Sequence, residues 1–158
     1  MEADYDVVIL GAGAAGLSAG LYTTRAMLKT VLLEQIGPGG QLLITDEIEN
    51  YPGFPEGVKG QELAAMMERQ TARFGAETEY TEVMGIENID QPVKIIHTDD
   101  RDFTAKAIII ATGGSHNKLG VAGEDALAGR GVSYCAVCAG NFFRRQGVVV
   151  VGGEIGRG

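Results

Sequence analysis

The chain has no tryptophan, four prolines and two cysteines in 158 residues, and its 13 Lys plus Arg are outnumbered by 21 Asp plus Glu. Each shortage excludes something. Two cysteines are too few for the disulfide framework of a small secreted domain. A formal net charge of −8 has the wrong sign for a surface that grips nucleic acid or anionic lipid through a basic field, so neither nucleic acid nor a membrane is expected as a partner. No apolar run approaches the ~18 residues of a membrane span, and a signal peptide begins with basic residues, whereas this chain begins Met1-Glu2-Ala3-Asp4. A soluble, cytoplasmic protein is therefore expected. What the chain holds in excess is glycine, 24 residues, about twice the usual ~7% frequency. The glycines show no Gly-X-Y period and stand beside β-branched apolar runs, which excludes collagen and a flexible linker. The length suits one ordinary domain of ~100–200 residues around a single core.

The order of apolar runs predicts an α/β fold. Residues 5–10 form a short apolar run suited to a buried parallel strand, and Gly11 to Gly16 follow without a gap. A helix is predicted from Ala14 to about Leu28, and a second buried strand over Thr30 to Glu34, which completes a βαβ opening. Residues 35–59 lack periodicity, are rich in turn formers, and read as a long ordered loop of the kind that is often functional. Gly60 to Phe74 carries Leu63, Met66, Met67 and Phe74 at helical spacing, with Gly75 as a C-terminal cap. Alternation from Glu77 to Lys106 predicts a small antiparallel meander with strands over 80–84, 86–89, 93–97 and 103–107. Asp99 to Asp102 is read from its composition as the hairpin turn. Ala107 to Ala111 returns to a buried strand that runs into Thr112-Gly113-Gly114. Beyond it come a crossover loop over 115–130 with a short turn at Glu124 to Leu127, a helical turn or two ending at Arg145, and a final buried strand over Gly147 to Val151. That last strand runs into glycine as the first does, an approximate internal repeat.

Two motifs carry chemistry. In Gly11-x-Gly13-x-x-Gly16 the first glycine makes the tight turn, the second lets backbone approach a pyrophosphate, and the third lets helix and sheet pack closely; the helix N-terminus then faces the diphosphate. The pattern alone is weak, but here it follows a strand, opens a helix, and is joined by Glu34, 18 residues after Gly16, at the end of the second strand. A carboxylate there accepts ribose hydroxyls and repels a 2′-phosphate, favouring FAD or NAD over NADP at this site. The second motif is Cys135-Ala136-Val137-Cys138. Two intervening residues bring the sulfurs within disulfide reach, and a strand-to-helix junction lowers a thiol pKa. A redox pair, a zinc half-site and inert buried thiols are the three readings. Zinc needs two further ligands, for which only His97 and His116 are available, and His97 alternates with Ile95 and Ile96 as a strand residue. His116 sits in a loop with no partner visible in the sequence. Met66 and Met67 read as core filling, and the remaining acidic residues as solvated.

These motifs together resemble the N-terminal half of the bacterial-type, low-molecular-weight thioredoxin reductases. The resemblance covers Asp4 to Val151 and rests on Gly11-Ala12-Gly13-Ala14-Ala15-Gly16, Gly39-Gly40-Gln41-Leu42, Ile48 to Gly53, Ala111-Thr112-Gly113 and Gly129 to Cys138. It implies a Rossmann-like FAD-binding domain over residues 1–114, lacking its C-terminal return segment, followed over 115–158 by the truncated start of a second, NADPH-binding domain that carries the redox disulfide. FAD would be held by Gly11, Gly13, Ala14, Ala15, Gly16, Glu34 and Gln35, with Glu34 at the ribose. Gly39, Gly40, Gln41, Leu42, Thr45 and Asn50 would run along the flavin and its diphosphate arm. Met84 would lie near the adenine, and Ala111, Thr112 and Gly113 would pass beneath the cofactor. Cys135 and Cys138 would be the catalytic pair, passing electrons that come from NADPH through FAD on to thioredoxin; no metal is implied.

Three departures from the family pattern stand out. Ala139 replaces the aspartate that usually follows the second cysteine as a proton donor. The second fingerprint, starting at Gly152, has Glu154 where glycine is expected, which sets a carboxylate against the NADPH pyrophosphate. The chain also stops before a helix could follow it. A truncated protein, completed by a second copy or another chain, is expected from that. Two further readings are a related flavin disulfide reductase of the alkyl hydroperoxide reductase type, or one fed by another donor, and a flavin- or nucleotide-binding module without turnover.

Overall fold

The computed structural model describes residues 2–128, 130–135 and 143–152. It divides into two units, Met1–Ser115 and His116–Gly158.

The first unit is a mixed α/β fold built on a six-stranded sheet of order β5-β2-β1-β8-β7-β6. β1 (Tyr5–Leu10) lies at its centre, parallel to β2 (Thr30–Glu34) on one side and to β8 (Asp102–Ile110) on the other, and β2 is parallel to β5 (Glu77–Tyr80). A parallel strand at the centre of a sheet is buried on both faces, which is why β1 reads as an unbroken apolar run. Val7 and Ile9 join Leu32 on one face, packed against Leu17 of α1 (Ala14–Arg25) and Leu63 and Met67 of α2 (Gly60–Arg73). Val8 and Leu10 join Val31 and Leu33 on the other, against Ile96 and Phe103. Met67 is buried and Met66 packs against the same cluster, as the core reading expected. Thr71, buried on α2, ties the helices together: its hydroxyl lies 2.9 Å from the carbonyls of Leu17 and Met67.

Several expectations are corrected in this unit, among them the separate strands over 80–84 and 86–89, which are replaced by the end of β5 and a single strand over 83–87. Glu77–Tyr80 does not belong to the meander; it is β5, the outermost parallel strand. β6 (Val83–Glu87) and β7 (Lys94–Thr98) are antiparallel, and the predicted strands over 103–107 and 107–111 are one continuous β8. Residues 102–105 of β8 pair with β7 while residues 105–110 pair with β1, so a single strand serves both the meander and the parallel sheet. The 35–59 segment is not loop throughout: Gly40–Ile44 is a 3-10 turn, and β3 (Glu47–Ile48) pairs with β4 (Val58–Lys59), which buries Ile48 and Val58. Helix α1 stops at Arg25, short of Leu28, because Met27 turns left-handed with φ +63°.

The second unit is held by turns. Leu127 N–H donates to the Gly123 carbonyl (2.9 Å) and Val132 N–H to that of Leu127 (3.0 Å), in the region where a turn at 124–127 was expected. The predicted buried strand at 147–151 is absent: the segment forms no ladder, and Val149 and Val150 are 89% and 82% exposed. An apolar run becomes a strand only beside a partner strand, and none stands there among the described residues, so the repeat of β1 is one of sequence alone.

Candidate functional site

The site begins where β1 gives way to α1. Gly11 N–H donates to the Leu33 carbonyl (2.8 Å), and Ala111 N–H to that of Leu10 (2.8 Å), so the ends of three parallel strands converge on the turn. Gly11 has φ +98°, and a Cβ on it would stand 2.5 Å from the Ala111 carbonyl oxygen. At Gly16 a Cβ would come within 1.9 Å of the Gly11 oxygen, whereas one at Gly13 would meet nothing within 4 Å. Two glycines are thus required by backbone packing, and Gly13 borders open space in front of the helix.

The N-terminus of α1 has no side-chain cap and no acidic residue in its first turn. Its first ladder bond runs from Leu17 N–H to the Gly13 carbonyl (2.9 Å). The N–H groups of Ala14, Ala15 and Gly16 therefore precede the helical ladder, and with the helix dipole they favour an anion at that point. Facing them, Gly39 N–H donates to the Ala12 carbonyl (2.8 Å), and Gly13 and Gly39 form an isolated parallel bridge. Gly39 and Gly40, both at positive φ, lead into the 3-10 turn, where Leu42 N–H donates to the Gly39 carbonyl (3.1 Å) and the Thr45 hydroxyl to that of Gln41 (2.8 Å). Gln41 Nε2 reaches the Gly114 carbonyl (3.3 Å), which draws the end of the Ala111-Thr112-Gly113 segment to the same place.

Glu34 closes β2, and its carboxylate is held by backbone. Oε2 accepts from Ala12 N–H (2.7 Å), and Oε1 from Gln35 N–H (3.0 Å) and Ile36 N–H (3.1 Å). A carboxylate has about four acceptor directions, so one remains open on Oε2. One ribose hydroxyl fits without breaking a bond; a second would displace the Gln35 or Ile36 N–H. These residues fit the diphosphate and adenosine half of a dinucleotide: donors and open space at Gly13, and an acceptor at Glu34.

The structure thus assembles Gly11 to Gly16, Glu34, Gln35, Gly39 to Leu42 and Ala111 to Gly113. Asn50 stands exposed in the 49–57 loop, Met84 is exposed on β6, and neither is hydrogen-bonded to the glycine turn among the described residues. Sequence reasoning missed Thr81, whose N–H donates to the Glu34 carbonyl (3.0 Å). It also read Asp99 only as turn chemistry, although its carboxylate accepts from the Thr81 hydroxyl (2.7 Å) and Glu82 N–H (2.9 Å). Nothing in the spacing announces a bond across 18 residues. His97 lies in β7, where Nδ1 is 2.8 Å from Asp102; the Asp102 carboxylate holds the imidazole pKa above its ordinary value.

In the second unit Cys135 is disulfide-bonded; Cys138 and Ala139 lie outside the described residues, as does Glu154. Ser133 Oγ donates to the Cys135 carbonyl (3.1 Å) and accepts from its N–H (3.2 Å). Glu124, only 5% exposed, accepts from Leu119 N–H (2.8 Å), Gly120 N–H (2.6 Å) and the Tyr134 hydroxyl. The Tyr134 hydrogen bond, then that of Leu119, lowers the Glu124 carboxyl to about 2, and the same carboxylate raises the Tyr134 phenol to about 12. His116, which had no visible partner in the sequence, stacks on Tyr134 with ring centroids 3.4 Å apart. Among the described residues no cluster of metal-ligating side chains occurs, and no helix is long and apolar enough to cross a membrane.

A glycine turn that opens an uncapped helix, served by a carboxylate from the neighbouring strand, places the chain among the dinucleotide-binding proteins of Rossmann-like fold. More narrowly, it belongs to the pyridine nucleotide-disulphide oxidoreductase family, whose model matches residues 5–156. Thioredoxin reductase of Treponema pallidum (strain Nichols) is 50% identical over 153 residues, 97% of this chain and 50% of that protein. Among solved structures, thioredoxin reductase from Streptococcus pyogenes MGAS5005 is similar with a TM-score of 0.83 at 46% identity, covering 89% of this chain and 45% of that one. A ferredoxin-flavin thioredoxin reductase from Clostridium acetobutylicum is similar at 0.64 and 30% identity, covering 88% and 48%. The chain spans about half the length of the curated relatives it matches.

Proposed function

We propose that the chain supplies the FAD site and the redox disulfide of a thioredoxin reductase. What supports this most is a disulfide-bonded Cys135 within a C-x-x-C pair, on a chain that also carries the dinucleotide turn and is 50% identical to a thioredoxin reductase. Gly13, Ala14, Ala15 and Gly16 would hold the diphosphate of FAD, Glu34 and Gln35 the adenosine ribose, with Met84 toward the adenine. Gly39 to Leu42, Thr45, Asn50 and Ala111 to Gly113 would line the path toward the flavin ring. When bound, the flavin supplies the two electrons that reduce the Cys135–Cys138 disulfide.

The cysteine pair does the exchange. One thiolate attacks the partner disulfide, forming a mixed disulfide and releasing one partner thiolate; the second thiolate then attacks the enzyme sulfur of that bond, closing the C-x-x-C disulfide and releasing the reduced partner. The released thiolates need protons, and Ala139 supplies none. Loss of a positioned general acid costs about 10²–10⁴ in rate, so turnover slower than in relatives with an acid there is expected. Thioredoxin is the proposed acceptor and the cytoplasm the proposed setting. The exposed Val148 to Val151 run supports a second copy or a completing chain as a further partner.

The electron donor has two readings. NADPH is the family's donor, but Glu154, which stands where the second fingerprint carries glycine, favours another donor class. An anaerobic titration separates them. The purified chain is expected to be yellow with an FAD spectrum, to bleach with dithiothreitol, and to stay oxidised with NADPH. Bleaching by NADPH would restore the ordinary donor, and a chain that neither carries nor takes up flavin would overturn the FAD reading.

A further inference from the structure

We propose that Asp99 is a positioning residue for the adenosine end of the dinucleotide site, acting through Thr81 on Glu34. The proposal rests on the FAD reading above. Pairing between β2 and β5 ends at Glu34 opposite Tyr80, and one bond beyond it, from Thr81 N–H to the Glu34 carbonyl (3.0 Å), holds the two chains together as they leave the sheet. Thr81 is 9% exposed, so its side chain is fixed by what it touches. That contact is Asp99, in the turn between β7 and β8, whose Oδ1 accepts from the Thr81 hydroxyl at 2.7 Å and from Glu82 N–H at 2.9 Å. A third bond, from Asp99 N–H to the Glu82 carbonyl (3.1 Å), locks the same crossing.

The chain of contacts continues inward. Glu34 sits between this crossing and the glycine turn, its main chain bonded to Thr81 and its carboxylate to Ala12 N–H. Met84, exposed on β6, follows Thr81 by three residues. The segment Asp99 grips thus runs from the backbone of the ribose-facing residue to the residue expected beside the adenine. The Thr81 hydrogen bond holds the Asp99 carboxyl below its ordinary pKa, which keeps the acceptor ionised at neutral pH. Removing that acceptor frees the Thr81 hydroxyl and the Glu82 N–H together and leaves the turn bonded to the crossing through the Asp99 N–H alone, so the segment that carries the Thr81–Glu34 bond loses its side-chain anchor. A hydrogen bond to a charged group is among the stronger ones.

The test is titration of the flavin-free full chain with FAD and, separately, with ADP, which carries only the adenosine and diphosphate end. Asp99→Ala is expected to weaken both about tenfold, and Thr81→Val about threefold, in line with losing a charge-assisted hydrogen bond. Asp99→Asn keeps an acceptor oxygen in place and is expected to stay within about twofold of wild type. Circular dichroism and thermal melting identify folded variants; if Asp99→Ala does not fold, the Thr81→Val and Asp99→Asn pair carries the comparison. A folded Asp99→Ala or Thr81→Val that melts earlier but binds ADP and FAD as tightly as wild type would overturn the proposal, and Glu34→Ala tells the two levels apart. If Glu34→Ala weakens both ligands while the Asp99 and Thr81 variants do not, the positioning role fails and the site stands. If Glu34→Ala changes neither, the site itself is elsewhere and this proposal falls with it.

Discussion

An alanine methyl at Gly16 would stand 1.9 Å from the Gly11 carbonyl oxygen, while one at Gly13, whose φ of −70° and ψ of −175° suit any residue, would meet nothing within 4 Å. The two positions are three residues apart in one fingerprint, yet the structure asks for glycine at Gly16 to pack helix on strand and leaves Gly13 free of that demand. Gly16→Ala is therefore expected to cost about 3 kcal/mol or more, because backbone rather than a flexible side chain would have to move. Gly13→Ala is expected to leave stability within about 0.5 kcal/mol and to weaken FAD, since its methyl projects where the diphosphate would approach. Urea unfolding paired with FAD titration checks both. A Gly13→Ala chain that unfolds early would show that Gly13 too is there for packing, and one that binds FAD like wild type would show that the diphosphate does not approach Gly13. The motif assigns the second glycine to the pyrophosphate and the third to packing, and the Gly11 carbonyl beside Gly16 shows the physical cause of the second assignment.

The ends of α1 and α2 show what a local signal can and cannot reveal. Gly75, with φ +90°, closes α2 as its position suggested, its N–H bonded to the Ala72 carbonyl (2.9 Å). At the end of α1 the same geometry is made without glycine: Met27 N–H bonds the Thr24 carbonyl (2.9 Å) and Leu28 N–H that of Thr23 (3.1 Å), the paired bonds of a Schellman motif, with Met27 left-handed. A left-handed non-glycine costs about 1–2 kcal/mol, and Met27 is 92% exposed, so it offers little packing in return. Met27→Gly is expected to stabilise the chain by about 1 kcal/mol, read as a higher urea midpoint with unchanged FAD affinity; a lower midpoint would mean that the methionine contributes contacts beyond its visible exposure. The apolar runs of β1 and β2 and the periodicity of α2 were legible because each is set by local pattern. β5 was not, because Glu77–Tyr80 alternates as an exposed strand does and only its pairing with β2 makes it parallel. Nor was the single long β8, which changes partners at Ala105 without a break in sequence. The run at 147–151 carries a strand's composition, but composition supplies no neighbour.

At the scale of the whole chain, both units lose stability toward acid, and in the first unit a histidine adds a response of the opposite sign. In the first unit Asp6 and Asp99 lie below their ordinary value of 3.8, Asp6 chiefly through Lys106 at 2.7 Å and Asp99 chiefly through the Thr81 hydroxyl. A depressed carboxyl stabilises the fold above its unfolded pKa, and that contribution is lost as pH falls through the folded one. His97 works in the opposite sense. Held above its ordinary 6.5 chiefly by the Asp102 carboxylate, with Glu87 at 3.4 Å adding to the pull, it stabilises the fold fully below 6.5 and stops doing so as pH rises through its folded pKa. These groups together give the first unit a stability plateau between about pH 4 and 6.5 with a fall on either side. In the second unit Glu124, lowered to about 2 from 4.5, gives only an acid limb: its contribution is complete above 4.5 and is lost as pH drops toward 2. Urea unfolding followed across pH 3 to 9 is expected to show the plateau, and His97→Gln to remove its alkaline fall while sparing the acid one. The Leu119 and Gly120 amide resonances, which report the Glu124 bonds, are expected to hold their positions down to about pH 3 and to shift below it, at higher pH in Tyr134→Phe. An alkaline fall that survives His97→Gln would assign it to another group, and amides that shift near pH 4.5 in the wild-type chain would mean that the Tyr134 bond does not hold the Glu124 carboxylate in solution.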